Sequence, residues 1–362
     1  MVYDVVIVGG GGAGLMLARE LSKQKYSILI LDKNKDLLDF TFYTLASFMG
    51  VKSFGFTENV ICQKINKICV KSSRFSETIN GDLYTLDKKL IHEELLASLD
   101  VDNVDILKNT KVVDIHRKDN AFTSIVDDKG NEYTGKIFVD CTGTAGVLSK
   151  KVGIQSDDFG LATGVEYNVR YSGDVNKIYL LLGKQYKGGY GWIFPLKDNR
   201  GIIGFGTVDN SIKKELKKRL QEIIELPEIK KIVTLDRSKV EGGSIPITPV
   251  IEKFVLNNLV CVGDSVSQVN PIAGEGYKFV FESALLASEA IKNALENNNL
   301  SLLGTYEEKW KSRFLSNYKR SKVAQERIQG FSKSDVLVDL GVLLLKMRSD
   351  SKNLKTLSGE YY

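Results

Sequence analysis

The chain has 362 residues, 43% of them hydrophobic and 26% charged, with a net charge of +5. That is the make-up of a globular protein too long for one compact core, and it excludes a disordered or fibrous chain. Two histidines without a neighbouring nucleophile and four cysteines without ligand spacing speak against a hydrolytic triad and against a metal site. No apolar run approaches the ~18 residues needed to span a bilayer.

Val5 to Val8 reads as a buried strand that leads into Gly9, Gly11 and Gly14, the G-x-G-x-x-G spacing, with Gly12 and Ala13 in the same turn. Leu15 to Leu21 has helical periodicity, and a second apolar strand, Ile28 to Leu31, closes on Asp32 and Lys33. Each part has a task in a βαβ dinucleotide site. Gly9 permits the tight turn, Gly11 lets backbone approach a pyrophosphate, and Gly14 lets helix and strand pack closely. The pyrophosphate rests on the helix N-terminus, and Asp32 accepts from ribose hydroxyls. A strand that starts at the third residue leaves no room for a signal peptide, so the expected location is the cytoplasm.

Residues 40–80 read as irregular and aromatic (Phe40, Phe42, Tyr43, Phe48, Phe54, Phe56). Thr85 to Leu99 reads as a helix that carries His92. Strand and hairpin units follow at Val104 to Leu107, Lys111 to Arg117 (with His116), Ala121 to Asp127 and Glu132 to Thr134. Lys136 to Cys141 is a buried strand ending in Asp140-Cys-Thr-Gly143. Cys141 and Cys261 lie in apolar strands as small core residues. Cys62 and Cys69 read as two ordinary thiols, with a disulfide as the alternative.

From 160 to 250 the sequence alternates, at Gly164 to Tyr171, Lys177 to Leu182, Gly191 to Pro195 and Gly201 to Thr207, which predicts an antiparallel sheet. Gly201-Ile-Ile-Gly204-Phe-Gly206 lies inside a strand, where glycine marks close backbone approach and not phosphate binding. With no second nucleotide loop, a dedicated NAD(P)H domain is absent; if the chain carries a flavin that is reduced, an external electron donor (NAD(P)H, ferredoxin or similar) must dock transiently. Ile212 to Glu225 is a helix with a basic side.

Leu259 to Asp264 reads as a buried strand closing on Gly263-Asp264, then a turn through Pro271, Gly274, Glu275 and Gly276, then a helix from Tyr277 to about Leu295. An acid placed for polyol hydroxyls beside amides facing an electron-rich ring fits FAD, whose ribityl chain the nicotinamide cofactors lack. Residues 300–347 read as helical, with Lys309, Lys311, Arg313, Lys319, Arg320, Lys322 and Arg327 interleaved with Trp310, Phe314 and Tyr318. A solvated basic face is the default, and a surface drawn to anionic lipid is the alternative. No motif accompanies the charge that would point to nucleic acid.

These residues resemble the geranylgeranyl reductases, within the p-hydroxybenzoate-hydroxylase-like FAD-dependent oxidoreductases. The likeness rests on the glycine fingerprint, on Gly263-Asp264 with Pro271, on Tyr84-Thr-Leu-Asp87-Lys88, and on Gly188-Gly-Tyr190-Gly-Trp192-Ile-Phe194-Pro195. Asp140-Cys-Thr-Gly143 is similar to a third FAD-contacting turn. The resemblance implies an α/β chain: a Rossmann-type FAD-binding domain (1–48, 81–158 and 255–296), an interleaved antiparallel-sheet substrate domain (49–80 and 159–254), and C-terminal helices (297–362). It implies FAD held by Gly9, Gly11, Gly12, Ala13, Gly14, Asp32, Lys33, Lys88, Gly143, Gly263, Asp264, Pro271, Gly274 and Gly276.

It also implies hydride transfer to a C=C bond of an isoprenoid lipid, with Tyr190, Trp192 and Phe194 as substrate wall and peripheral contact with the membrane where prenyl chains reside. Tyr190, Trp192 and Glu275 are the expected catalytic residues, with Tyr190 or Glu275 as proton donor. The sequence departs from the family in Phe42 to Gly50, which lacks the family's cysteine, in Lys88 for arginine, and in Glu275 for glycine. Lycopene-cyclase-like cyclisation on reduced FAD, or a monooxygenase or halogenase reaction, are the alternatives.

Overall fold

The structure is a computed structural model that describes residues 1–40, 44–157, 159–237, 239–272, 274–332 and 334–361. Phe42 and Tyr43 of the aromatic segment, Ala273 of the late turn and Asp158 at an expected boundary lie outside the described residues.

Two sheets organise the described residues. In the first, parallel strands run in the spatial order Leu259–Cys261, Glu132–Asp140, Val2–Val8, Ile28–Leu31, Val104–Leu107. Val5, Val6, Ile7 and Ile28 to Leu31 are fully buried, as parallel strands covered on both faces must be. The helices Gly12–Ser22 and Tyr277–Glu296, which follow the two glycine turns, pack on each other. The expected Rossmann-type α/β architecture is present. Glu132–Asp140 is one strand and not two, because Gly135 stays in register opposite Tyr3.

The second sheet runs Val233–Thr234, Leu161–Tyr171, Arg200–Thr207, Gly189–Pro195, Lys177–Leu181, Ile61–Lys71, Ser76–Asp87, Thr44–Ser47, with Val240–Pro246 also beside Leu161–Tyr171. Its pairing is antiparallel except between Lys177–Leu181 and Ile61–Lys71. One face carries Tyr167, Val169, Ile203 and Phe205, packed on the amphipathic helix Leu216–Ile224. Period-2 alternation then directs Gly164, Glu166, Gly204 and Gly206 to the opposite face.

The segment expected to be irregular holds the long hairpin Ile61–Lys71/Ser76–Asp87. Its register shifts twice, between Ile61 and Gln63 and between Ile65 and Lys67. Each bulge breaks the period-2 pattern by which a strand is read. The helix expected from Thr85 begins at Lys88 instead: Asp87 caps Lys88–Ala97, its carboxylate accepting from the backbone N–H of Lys89 and Leu90 at 2.9 and 3.1 Å. Ser76–Asp87 and Thr44–Ser47 thus carry segments expected in the first domain into the second sheet.

Near the C-terminus, Trp310, Phe314 and Tyr318 are buried core and pack on Phe254 and Phe279. Basic residues around them pair with acids: Lys309 with Glu289, Arg313 with Glu360, Lys319 with Glu252 and Lys322 with Glu326. The expected basic face is therefore largely neutralised. All four cysteines are free, and Cys62 and Cys69 both lie on Ile61–Lys71. Among the described residues, no helix is long and apolar enough to cross a membrane.

Candidate active site

The glycines of the first turn differ in what holds them. Gly9 has φ +104°, and a Cβ there would meet the Cys141 backbone. A Cβ on Gly14 would run into the Gly9 carbonyl oxygen and lie 3.2 Å from Ile7 Cγ2. A Cβ on Gly11 would meet nothing within 4 Å, and the same is true of Gly143. Two glycines are thus demanded by packing, whereas Gly11 and Gly143 leave open space at the N-terminal end of Gly12–Ser22 and beside the strand end at Asp140. Gly263 has φ +79°, and a Cβ added there would lie 3.5 Å from Ala13 Cβ. Asp32 accepts from the backbone N–H of Gly10 at 2.7 Å and of Asn34 at 2.7 Å, so it pins the turn while keeping lone pairs for a hydroxyl. Lys33 is exposed. Asp140 is fully buried and bonds Thr142, Leu148 and Ser149, which makes it a brace for the Gly143 turn.

Asp264 Oδ1 is buried with no protein partner. A buried acceptor left unmatched is costly unless a ligand donates to it, and a polyol hydroxyl is such a donor. Burial raises the Asp264 carboxyl to about 6 against the pull of Lys88. Lys88 lies over the Phe40 ring at 4.5 Å and the Tyr277 ring at 5.9 Å. Burial lowers its ammonium to about 8, while Asp264 and Glu166 act in the opposite direction. His92 is buried and bonds the Tyr277 hydroxyl through Nε2 at 2.7 Å. Its pKa falls to about 3 through burial and the nearby Lys88, so it stays neutral. An open glycine cradle, an orphaned carboxylate oxygen and a buried ammonium fit a dinucleotide carrying a polyol chain.

Tyr190, Trp192 and Phe194 share one face, as alternation predicts, with ring centroids 5.8 and 6.2 Å apart along the strand. Register places Trp192 opposite Gly204, and Gly204 opposite Glu166. The indole lies across these glycines: a Cβ on Gly206 or Gly164 would come within 3.2 or 3.1 Å of it, and one on Gly204 would strike it. Gly204 and Gly206 are therefore the bed of Trp192, the close approach read from the sequence. Trp192 Nε1–H donates to Glu166 Oε2 at 3.2 Å.

Two cavities open on this face. One, of about 230 Å³, is lined by Trp192, Glu166, Pro271, Gly274, Glu275 and Ile245 among others. The second, of about 730 Å³, lies between Ile68, Val70, Ile79 and Leu83 of the sheet and Val342 and Leu345 of the C-terminal helices. Both use Ala46, Tyr190, Phe194, Ile272, Glu275 and Ile328 as wall, so they adjoin. Sequence reasoning missed the second cavity, because it arises only when helix Asp335–Lys346 meets the unrecognised hairpin.

Two of the three departures noted in the sequence, at Ser47–Phe48 and at Glu275, meet here. Glu275 Oε1 accepts from the Ser47 hydroxyl and from the backbone N–H of Phe48. Burial raises its carboxyl to about 7. Gly274, with φ +67°, bends the turn, which closes by Asn270 N–H to Glu275 O at 2.9 Å and Gly274 N–H to Asn270 O at 3.0 Å. Gly276 precedes the helix, and a Cβ added there would lie 3.6 Å from Val269 Cγ2. Glu166 was not singled out by any motif. Its signal is an acid at a position whose strand neighbours two residues away face the same side, one of them Gly164.

The profile of the family described as lycopene cyclase protein matches residues 4–327. The chain belongs to the lycopene cyclase protein family. Within reach of that family, a digeranylgeranylglycerophospholipid reductase from Methanococcus vannielii is 23% identical, covering 97% of this chain and 96% of its own. A geranylgeranyl bacteriochlorophyll reductase-like protein from Thermoplasma acidophilum superimposes with a TM-score of 0.86 at 21% identity, covering 99% and 96% of the two chains. A probable FAD-dependent monooxygenase from Pseudomonas aeruginosa shares the fold with a TM-score of 0.76 at 16% identity, covering 95% of this chain and 100% of its own. The kinship with geranylgeranyl reductases expected from the motifs is supported by full-length relatives.

Proposed function

We propose that this chain is an FAD-dependent reductase of C=C bonds in an isoprenoid lipid. The observation that carries the reading is the meeting of the open glycine cradle and orphaned Asp264 with an aromatic-walled, apolar cavity pair. Gly11 and the N–H groups of Gly12–Ser22 would receive the pyrophosphate, Asp32 a ribose, and Asp264 the polyol chain. Lys88 and the Pro271–Gly276 turn would flank the ring system. Reduced FAD supplies hydride when bound. The protein's part is to hold the chain against Tyr190, Trp192 and Phe194 in a space poor in water, since an isolated alkene offers no carbonyl to polarise.

The larger of the adjoining cavities, about 730 Å³, has the volume of a small-molecule ligand pocket. Helix Asp335–Lys346 walls the larger one with Val338, Val342 and Leu345, while exposing Val336, Leu337, Leu340 and Leu344 to solvent. We place peripheral contact with an anionic bilayer on this helix, beside Lys346 and Arg348, and not on the neutralised helices before it. Electrons come from an external donor.

The test is anaerobic: reduce the holoprotein, add a geranylgeranyl lipid, and follow flavin reoxidation with product mass. Reoxidation with two hydrogens gained per bond is the expected result. A product of unchanged mass would assign cyclisation instead, and no reaction would refute both.

A further inference from the structure

We propose that Glu166 is the acid that protonates the second carbon of the substrate's double bond. The proposal rests on the reductase reading and adds the residue that completes its chemistry.

Addition of hydride alone leaves an alkene reduction unfinished. The π bond breaks as one carbon accepts hydride from the reduced flavin. The other carbon takes a proton, and the carboxyl O–H of Glu166 is the bond that breaks to supply it. Two C–H bonds form, the flavin is oxidised, the alkene is reduced by two electrons, and Glu166 is left as a carboxylate that regains its proton from solvent.

Three features of the site select Glu166. It is 6% exposed, on the cavity face of Leu161–Tyr171, and lines the cavity that Trp192 walls. One oxygen is fixed by the Trp192 N–H, which orients the carboxyl without compelling it to ionise. The other oxygen, Oε1, is buried with no protein partner. A carboxyl set this way holds its proton on the oxygen that no protein group occupies. The groups around it are Trp192 from the aromatic strand, Glu241 from the paired strand Val240–Pro246, and Lys88 from the first turn of its helix. Burial and Glu241 favour the neutral acid, Trp192 and Lys88 favour the anion, and burial prevails, with the pKa at about 8.

The other candidates are less suited. The Tyr190 hydroxyl is pushed up to about 12 by burial, which makes it a weak acid at neutral pH. Glu275 also leaves one oxygen, Oε2, buried without a protein partner, but its Oε1 takes two donors, the Ser47 hydroxyl and the Phe48 N–H, which favour the anion and brace the Thr44–Ser47 strand end to the late turn. It acts as a positioning residue.

The test uses holoprotein and Glu166→Gln, which keeps an acceptor for Trp192 but has no proton to give. Infrared difference spectra taken across the pH range should show a protonated carboxyl in the parent at pH 7, titrating near pH 8 and absent from Glu166→Gln. In single turnover with the geranylgeranyl lipid, the variant should slow by roughly 100-fold or more, with FAD affinity and KM retained. Its alkaline limb in the pH–rate profile should vanish, and Glu166→Asp should recover part of the rate.

A Glu166→Gln rate within a few-fold of the parent, or a Glu166 already ionised at pH 7, would overturn the assignment. So would a loss confined to Glu275→Gln. A parent product of unchanged mass, lost in Glu166→Gln, would remove the reductase reading and leave Glu166 as the acid of a cyclisation. A parent that leaves the lipid unreacted would remove both.

Discussion

The contrast between Gly11 and Gly14 separates cofactor binding from folding. At Gly11 the backbone is extended, φ −81° and ψ −170°, and an added methyl meets nothing within 4 Å. Gly11→Ala should leave the apoprotein's stability within about 0.5 kcal/mol of the parent, or raise it slightly by stiffening the unfolded chain. The methyl nevertheless fills the space into which the pyrophosphate must come to reach the helix N–H groups. Losing that approach should cost about 3 kcal/mol, roughly 100-fold in FAD affinity. At Gly14 the same methyl strikes the Gly9 carbonyl and crowds Ile7 Cγ2 at 3.2 Å. Backbone cannot yield as a side chain does, so Gly14→Ala should destabilise the apoprotein by about 2 kcal/mol or more. Urea unfolding of the flavin-free proteins gives the first quantity, and quenching of flavin fluorescence on titration gives the second. A Gly11→Ala protein that binds FAD like the parent would refute the placement of the pyrophosphate at this turn.

Gly204→Ala puts a methyl into the Trp192 indole and displaces its N–H from Glu166; about 2 kcal/mol should be lost, read as a lower urea midpoint with shifted tryptophan emission. Apoprotein stability should fall with pH between 6.5 and 8, because Glu166 (about 8) and Glu275 (about 7) have folded pKa values above their unfolded ones. Their stabilisation is complete below about pH 4 and is lost as pH rises through those values. Over that window the folded state binds the extra protons, for a drop of about 2 kcal/mol, and Glu166→Gln should abolish most of it; a flat profile in the parent would refute the assignment. Leu337→Glu with Leu340→Glu should cut binding to anionic vesicles by roughly 10-fold while FAD binding is retained. Equal sedimentation of parent and variant with the vesicles would move the membrane contact elsewhere.

Much of the proposed cofactor cradle is local, which is why its turns were legible. A glycine turn between a buried strand and a helix is written in consecutive residues, and its conformational demands at Gly9, Gly14 and Gly263 are met or missed within that stretch. The alternation of Tyr190, Trp192 and Phe194 is likewise a property of one strand. Ile61–Asp87 stayed hidden because two bulges scramble its period. The pairing of the basic C-terminal residues was not legible because acid partners such as Glu252, Glu289 and Glu360 come from elsewhere in the chain.

The sequence by itself determined the Rossmann-type architecture and the aromatic face, since both follow from short-range periodicity and turn chemistry. Only the tertiary structure decided which acids matter. Glu166 becomes a neutral acid because strand pairing buries it beside Trp192 and Glu241. Glu275 becomes a brace because Ser47, distant in sequence, arrives opposite it. The free energy of a charge is set by what surrounds it in space, and no window of sequence contains those surroundings.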